Sequence, residues 1–132
     1  KKKKIDKKID LLFNKNKYKN TKEEKIQLIC TQIFMALQKS NIDNVYLTST
    51  LATNNIIDIE KKIADNLTNL KVQVAIGNSL LYDQSSLKGL MEMKSVVFVE
   101  EMGVSDLQDI YKEVDICNNF NVLSVGAVIL GK

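Results

Sequence analysis

The chain has 132 residues, 45% hydrophobic and 27% charged, with a formal net charge of +3, which is the size and balance of one globular domain able to bury a core without a metal or disulfide staple. It contains no His, Arg, Trp or Pro. Those absences remove the usual neutral-pH base and commonest metal ligand, and with Arg the bidentate phosphate clamp and the arginine finger.

The charge is unevenly spread. Residues 1–25 hold eleven Lys against four acids, a net +7, and the remainder holds eight Lys against twelve acids, a net −4. Basicity therefore belongs to a leader, residues 1–20, and the body is mildly acidic. Within that leader Ile5, Ile9, Leu12 and Phe13 fall on one helical stripe among lysines, a pattern suited to an anionic lipid surface or to a neighbouring protein face. We read 1–20 as a basic juxtamembrane or linker segment. The chain opens on Lys1 and not Met, which points to a piece of a longer protein. No basic patch with interleaved aromatics occurs in the body, so nucleic acid is not an expected partner.

Thr21 to Glu24 reads as a capping box. Behind it Ile26, Ile29, Cys30, Ile33, Phe34 and Leu37 keep helical spacing to about Ser40. Asn41 to Asn44 predicts a turn, and Val45 to Ser49 a short strand. Thr50 to Asn55 is a polar loop. A second helix follows with Ile56, Ile59, Ile63, Leu67 and Leu70 on one face, and Asn54 or Asn55 as its N-cap. Lys71 to Ile76 reads as a strand, Gly77 to Ser79 as a break, and Ser85 to Met93 as a short helix, with Asp83 its capping residue. Val96 to Val99 is a continuous apolar run, as in a parallel strand buried on both faces. Ser105 to Gln108 resembles another capping box, opening a helix with Leu107, Ile110, Tyr111, Val114 and Cys117 inward. Val122 to Leu130 is the last strand, interrupted by Gly126. The two cysteines form no C-x-x-C and sit on apolar stripes, as buried free thiols do.

Strands alternating with helices predict a single three-layer, Rossmann-like α/β domain over 21–132. It has a mostly parallel sheet of about four strands with helices on both faces. Ligands in such sheets sit beyond the carboxyl ends of the strands. Four segments should occupy that edge: Ser49 to Asn55, Gly77 to Tyr82, Glu100 to Ser105, and Gly131-Lys132. A phosphate-binding loop needs glycines and a Lys followed by Ser or Thr. The segment Thr50, Leu51, Ala52, Thr53, Asn54, Asn55 has neither, and Ile56 and Ile57 stand where the Lys and the magnesium-binding hydroxyl would be. Ile76 occupies the strand end where a nucleoside triphosphatase would place an Asp. Glu100 and Glu101 are the only adjacent carboxylates on that edge. They should point to opposite faces and read as a solvated strand end. No cofactor and no metal are expected.

From about Glu23 to Leu130 the chain resembles the cytosolic tyrosine-kinase module of bacterial capsular polysaccharide synthesis. The likeness is closest to the shortened version fused to chain-length-determinant (polysaccharide co-polymerase) membrane proteins. Glu24 to Gln32 follows the register of that module's opening E-A-[FY]-R-x-L-R-T-N helix, with Gln27 and Cys30 in place of its arginines. Val45 to Ser49 matches its first strand and T-S. Val74 to Leu81 matches its I-I-D-x-P-P-L-L segment without the Asp or prolines, Lys94 to Val99 its next strand, and Ser124 to Leu130 its closing strand. The resemblance implies a degenerate P-loop-kinase-like domain, non-catalytic, on the cytoplasmic face of the cell membrane. Its partners would be proteins of polysaccharide assembly or further copies of itself, its interaction helix would present Glu24, Gln27, Cys30 and Thr31, and its leader would lie at the membrane surface. Two other functions remain open on the residues alone: a nucleotide sensor without turnover, and a soluble α/β enzyme using Glu100, Glu101 and Asp83.

Overall fold

The structure, a computed structural model, describes residues 21–131; the amphipathic leader and Lys132 lie outside them. In chain order the elements are α1 (Lys22–Lys39), β1 (Asn44–Thr48), α2 (Asn54–Asn69), β2 (Gln73–Ile76), α3 (Gln84–Leu90), β3 (Ser95–Glu101), α4 (Leu107–Asn119) and β4 (Leu123–Leu130). The four strands form one sheet in the order β2-β1-β3-β4. Every pairing is parallel, so the expected fold class is observed with a sheet that is wholly parallel. Among the described residues no helix is long and apolar enough to cross a membrane.

Two cores sandwich the sheet because successive strand residues face opposite sides. Val45, Leu47, Val97, Val99 and Val128 meet the buried stripes of α1 and α2, Ile26, Ile29, Ile33, Ile56, Ile63 and Leu67 among them. Tyr46, Val96, Phe98 and Ala127 meet Leu90 of α3 and Ile110, Val114 and Cys117 of α4. The central strand β3 is covered on both sides, which explains its unbroken apolar run.

The connections follow from local chemistry. Thr21 caps α1 reciprocally with Glu24, through Thr21 N to Glu24 Oε1 at 2.9 Å and Glu24 N to Thr21 Oγ1 at 3.1 Å. Three helices end alike: Asn41, Lys71 and Asn121 have φ of 59°, 69° and 59°. The next amide turns back onto the helix each time, Ile42 N to Leu37 O, Val72 N to Leu67 O and Val122 N to Cys117 O. That is the left-handed Schellman ending, whose first residue beyond it is apolar and leads into the following strand. It also explains why β2 begins at Gln73 and not at Lys71.

Three local expectations are corrected. The N-cap of α2 is Thr53, whose side chain accepts from Ile56 N at 3.3 Å, and not Asn54 or Asn55. The N-cap of α4 is Asp106, because the Ser105 hydroxyl is spent elsewhere. Gly126 does not interrupt β4: Val96 pairs with Ser124 and Val97 with Gly126, so Val125 is an extra residue accommodated as a bulge.

Candidate functional site

The strand order creates one topological switch point. From β1 the chain crosses by α2 to β2 on one side, and from β3 by α4 to β4 on the other. The crevice between the carboxyl ends of β1 and β3 is where a doubly wound sheet normally receives its ligand. Its walls are the β1–α2 loop and the β3–α4 loop.

Glu100 fills that place. It is 1% exposed, which overturns the reading of it as a solvated strand end. Its Oε1 accepts from Ser49 Oγ at 3.2 Å, Thr50 Oγ1 at 2.7 Å and Ser105 Oγ at 2.7 Å, and its Oε2 accepts from Thr50 N at 3.0 Å. Ser49 and Ser105 are themselves fixed, accepting from Leu51 N at 3.0 Å and Glu101 N at 2.9 Å. One carboxyl group thus ties both walls together. Burial pushes its pKa up, and the hydrogen bonds from Ser105, Thr50 and Ser49 pull part of that back.

The residues expected to form a degenerate phosphate loop do not share one environment. Thr50 is bound to Glu100. Thr53 caps α2 and donates weakly to Glu101 Oε1 at 3.4 Å. Asn54 and Asn55 are exposed on the first turn of α2, while Ile56 is fully buried and Ile57 half-exposed. Ile76, at the end of the outer strand β2, is exposed. Glu100 and Glu101 take different partners, Glu100 the Ser49, Thr50 and Ser105 groups and Glu101 the Thr53 hydroxyl.

A second buried carboxyl holds the next loop. Glu113 of α4 is 0% exposed, and its Oε2 accepts from Ser79 Oγ and Leu80 N, both at 3.0 Å. Its Oε1 is buried without a partner. A third, Glu60 of α2, is 3% exposed with Oε2 unpartnered. Burial, with repulsion from Glu100, pushes the Glu60 carboxyl up to about 8, and burial raises Glu113 to about 7. Such groups hold a proton near neutral pH, and both Glu60 and Glu113 are buried. Among the described residues no three His, Cys, Asp or Glu side chains converge to hold a metal ion. Asp83 caps α3 through Ser86 N at 3.2 Å, as expected, and takes no part in the Glu100 network.

Of the proposed interaction helix, Glu24, Gln27 and Thr31 lie on the exposed side of α1. Cys30 does not: it is buried, with its Sγ 3.7 Å from Ile63 O, and desolvation lifts its thiol to about 12. The apolar stripe that contains it wins over its register with an arginine position, so Cys30 is withdrawn from the docking surface. Sequence reasoning missed Glu60, Glu100 and Glu113 as buried groups. For Glu60 and Glu113 a signal existed: each falls on the inward stripe of its helix, one residue after Ile59 and one before Val114. No family model, curated protein or solved structure matches the chain.

Proposed function

We propose that the chain is a non-catalytic interaction domain, serving on the cytoplasmic face of a membrane in the assembly or export of a capsular or exopolysaccharide. The observation that carries the non-catalytic part is the occupancy of the switch point. A phosphate-binding loop works because free backbone amides converge on an anion. Here the Thr50 amide and hydroxyl are already satisfied by Glu100, a group of the same chemistry as the missing ligand, and no lysine lies between Ser49 and Asn55 to attract another. The polysaccharide setting rests on the resemblance of the scaffold segments to the capsular kinase module. With the crevice closed, function falls to outer surfaces, of which the exposed side of α1 around Glu24, Gln27 and Thr31 is the expected protein-docking face.

Calorimetric titration of the whole chain with ATP or ADP and magnesium tests the first part. Flat titrations to millimolar nucleotide are expected. Saturable binding that perturbs the Thr50 amide would replace this reading with a nucleotide sensor. Deleting residues 21–132 in the host tests the second, with an altered chain length of surface polysaccharide as the expected result. An unchanged length distribution removes the polysaccharide role.

A further inference from the structure

The two outer strands of the sheet are finished differently. In β4, Val125, Gly126, Ala127 and Val128 are all buried. In β2 no residue is buried, and Ile76 is 45% exposed. The pairing of β2 shows which of its main-chain groups are left over. Gln73 N donates to Asp43 O and Gly77 N to Leu47 O, both at 2.9 Å. Alternate residues of a parallel strand turn their main-chain groups to the same side, so Val74 and Ile76 turn theirs to the open side. Exposed edges are commonly protected by Lys, Pro or a bulge. The strand Gln73–Ile76 has none of these, and its length of four residues is its one protection.

Apolar side chains frame this edge. Val74 packs against the core under α2, and by alternation Ile76 lies on the same face. On α2, Lys62 and Asn66 share a hollow with Glu23 and Gln27 of α1. Helical spacing then puts Ile57, 37% exposed, on the opposite flank of α2, above β2. A lone extended peptide would cover the strand and leave Ile57 in water, whereas a second copy brings its own α2 to that flank. The flank is ~24 Å long from the 16 residues of α2. Together α2, the edge of β2 and the short α3 present roughly 600 Å² per copy, the low end of what a specific interface uses.

We propose that β2 pairs antiparallel with β2 of a second copy about a two-fold axis at Ala75, joining the two sheets into one. The register is self-complementary. Val74 stands opposite the partner's Ile76, and because both turn their main-chain groups outward they exchange N–H···O=C bonds in both directions. Ala75 stands opposite the partner's Ala75 as a non-hydrogen-bonded pair, where Cα atoms come to about 4.5 Å and a methyl group fits. On the α2 face Val74 and Ile76 meet their counterparts as cross-strand pairs of β-branched side chains, which covers Ile76. The strand holds no charge, so no like charges meet across the axis. This pairing depends neither on the polysaccharide reading nor on the α1 face. It leaves α1, which lies beyond α2 from this edge, free to be presented twice by one assembly.

Sedimentation of the whole chain from micromolar to millimolar concentration should show a reversible monomer–dimer equilibrium with a micromolar dissociation constant. Ile76→Lys should weaken it by roughly tenfold or more while leaving the circular dichroism spectrum unchanged. The register is read by cross-linking with oxidised glutathione. Ala75→Cys should give a disulfide-linked dimer, because a pair about 4.5 Å apart fits that bond. Gln73→Cys should not, although Gln73 is the more exposed, because the partner's Gln73 then lies ~13 Å away. Cys30 and Cys117 are buried and do not compete. A monomer at every concentration overturns the proposal, as does a dimer that Ile76→Lys leaves intact. Faster cross-linking through Gln73→Cys than through Ala75→Cys also overturns it, and that ratio decides if Ile76→Lys fails to fold.

Discussion

Replacing Glu60 by Gln should stabilise the protein above neutral pH and flatten its pH dependence. Glu60 is inside the α2–sheet interface with one oxygen unpartnered, and its carboxyl is pushed up from 4.5 to about 8. The folded chain therefore keeps a proton that the unfolded chain releases above about pH 4.5. Stability from this group is fully present below that pH and is lost as pH rises through about 8. At about 1.4 kcal/mol per pH unit, that interval is worth ~5 kcal/mol. This is a large share of the 5–15 kcal/mol typical of a domain, and some of it is recovered if the packing around Glu60 relaxes and admits water. Gln keeps the shape and neutrality of the protonated acid and cannot ionise. Urea unfolding followed by circular dichroism at pH 5, 6, 7 and 8 measures the difference. The two proteins should differ by under about 1 kcal/mol at pH 5, and the variant should lead by ~2–4 kcal/mol at pH 8, a midpoint shift of roughly 2 M. Equal slopes of stability against pH for the two proteins would refute the buried-proton argument. A residual slope in the variant is expected from Glu113, raised to about 7 by burial.

Glu100→Ala leaves Ser49 Oγ, Thr50 N, Thr50 Oγ1 and Ser105 Oγ without their acceptor. The expected loss is ~2–4 kcal/mol in urea unfolding, with faster hydrogen exchange at the Thr50 amide. Gly77→Ala sets a methyl group onto Tyr46 Oη and within 2.5 Å of its Cζ, and Tyr46 is held by its bond to Ser86 O at 2.8 Å. A loss of about 1–3 kcal/mol should follow, read from the urea midpoint. Lys71→Gly removes a side chain from a residue at φ 69° and should stabilise the α2–β2 joint by about 1 kcal/mol, because only glycine occupies that region freely. Asn121→Gly should gain less, since Asn tolerates the left-handed region better.

The layer order was legible because burial imposes periodicity. The stripe Ile56, Ile59, Ile63 and Leu67 and the run Val96 to Val99 each report how many faces an element covers, and the structure places them accordingly; Leu70 and Leu107, read as inward, are instead exposed at the ends of their helices. Element ends were less legible. Ser105 looks like a cap from its spacing to Gln108, but its hydroxyl goes to a carboxyl five residues earlier that spacing along the helix cannot reveal. The site was legible only as a lack, with no glycine and no lysine in the first loop. What fills the crevice was hidden for a physical reason. A Glu at a strand's carboxyl end looks solvated in one dimension. It becomes a core residue only because loops distant in sequence, Ser49 and Thr50 about fifty residues back, fold over it.

On the proposed reading, Glu100 disfavours a phosphate in this crevice in either protonation state. If Glu100 is ionised, its charge repels an incoming phosphate in a poorly hydrated place where Coulomb forces are weakly screened. If it is protonated, its Oε2 still fills the acceptor position on the Thr50 amide at 3.0 Å. Either state keeps the donors at the switch point satisfied without an external anion, so the loops need no ligand to stay ordered. Removing Glu100 would not create a nucleotide site either, because the loop still lacks glycines to bring further amides together and a cation to offset the phosphate charge. The Glu100→Ala variant should therefore lose stability and gain no saturable affinity for magnesium nucleotide in calorimetry. Recovered nucleotide binding in that single variant would mean that the loop is a working phosphate cradle blocked by one side chain, and the account of a domain built to dispense with the ligand would fail.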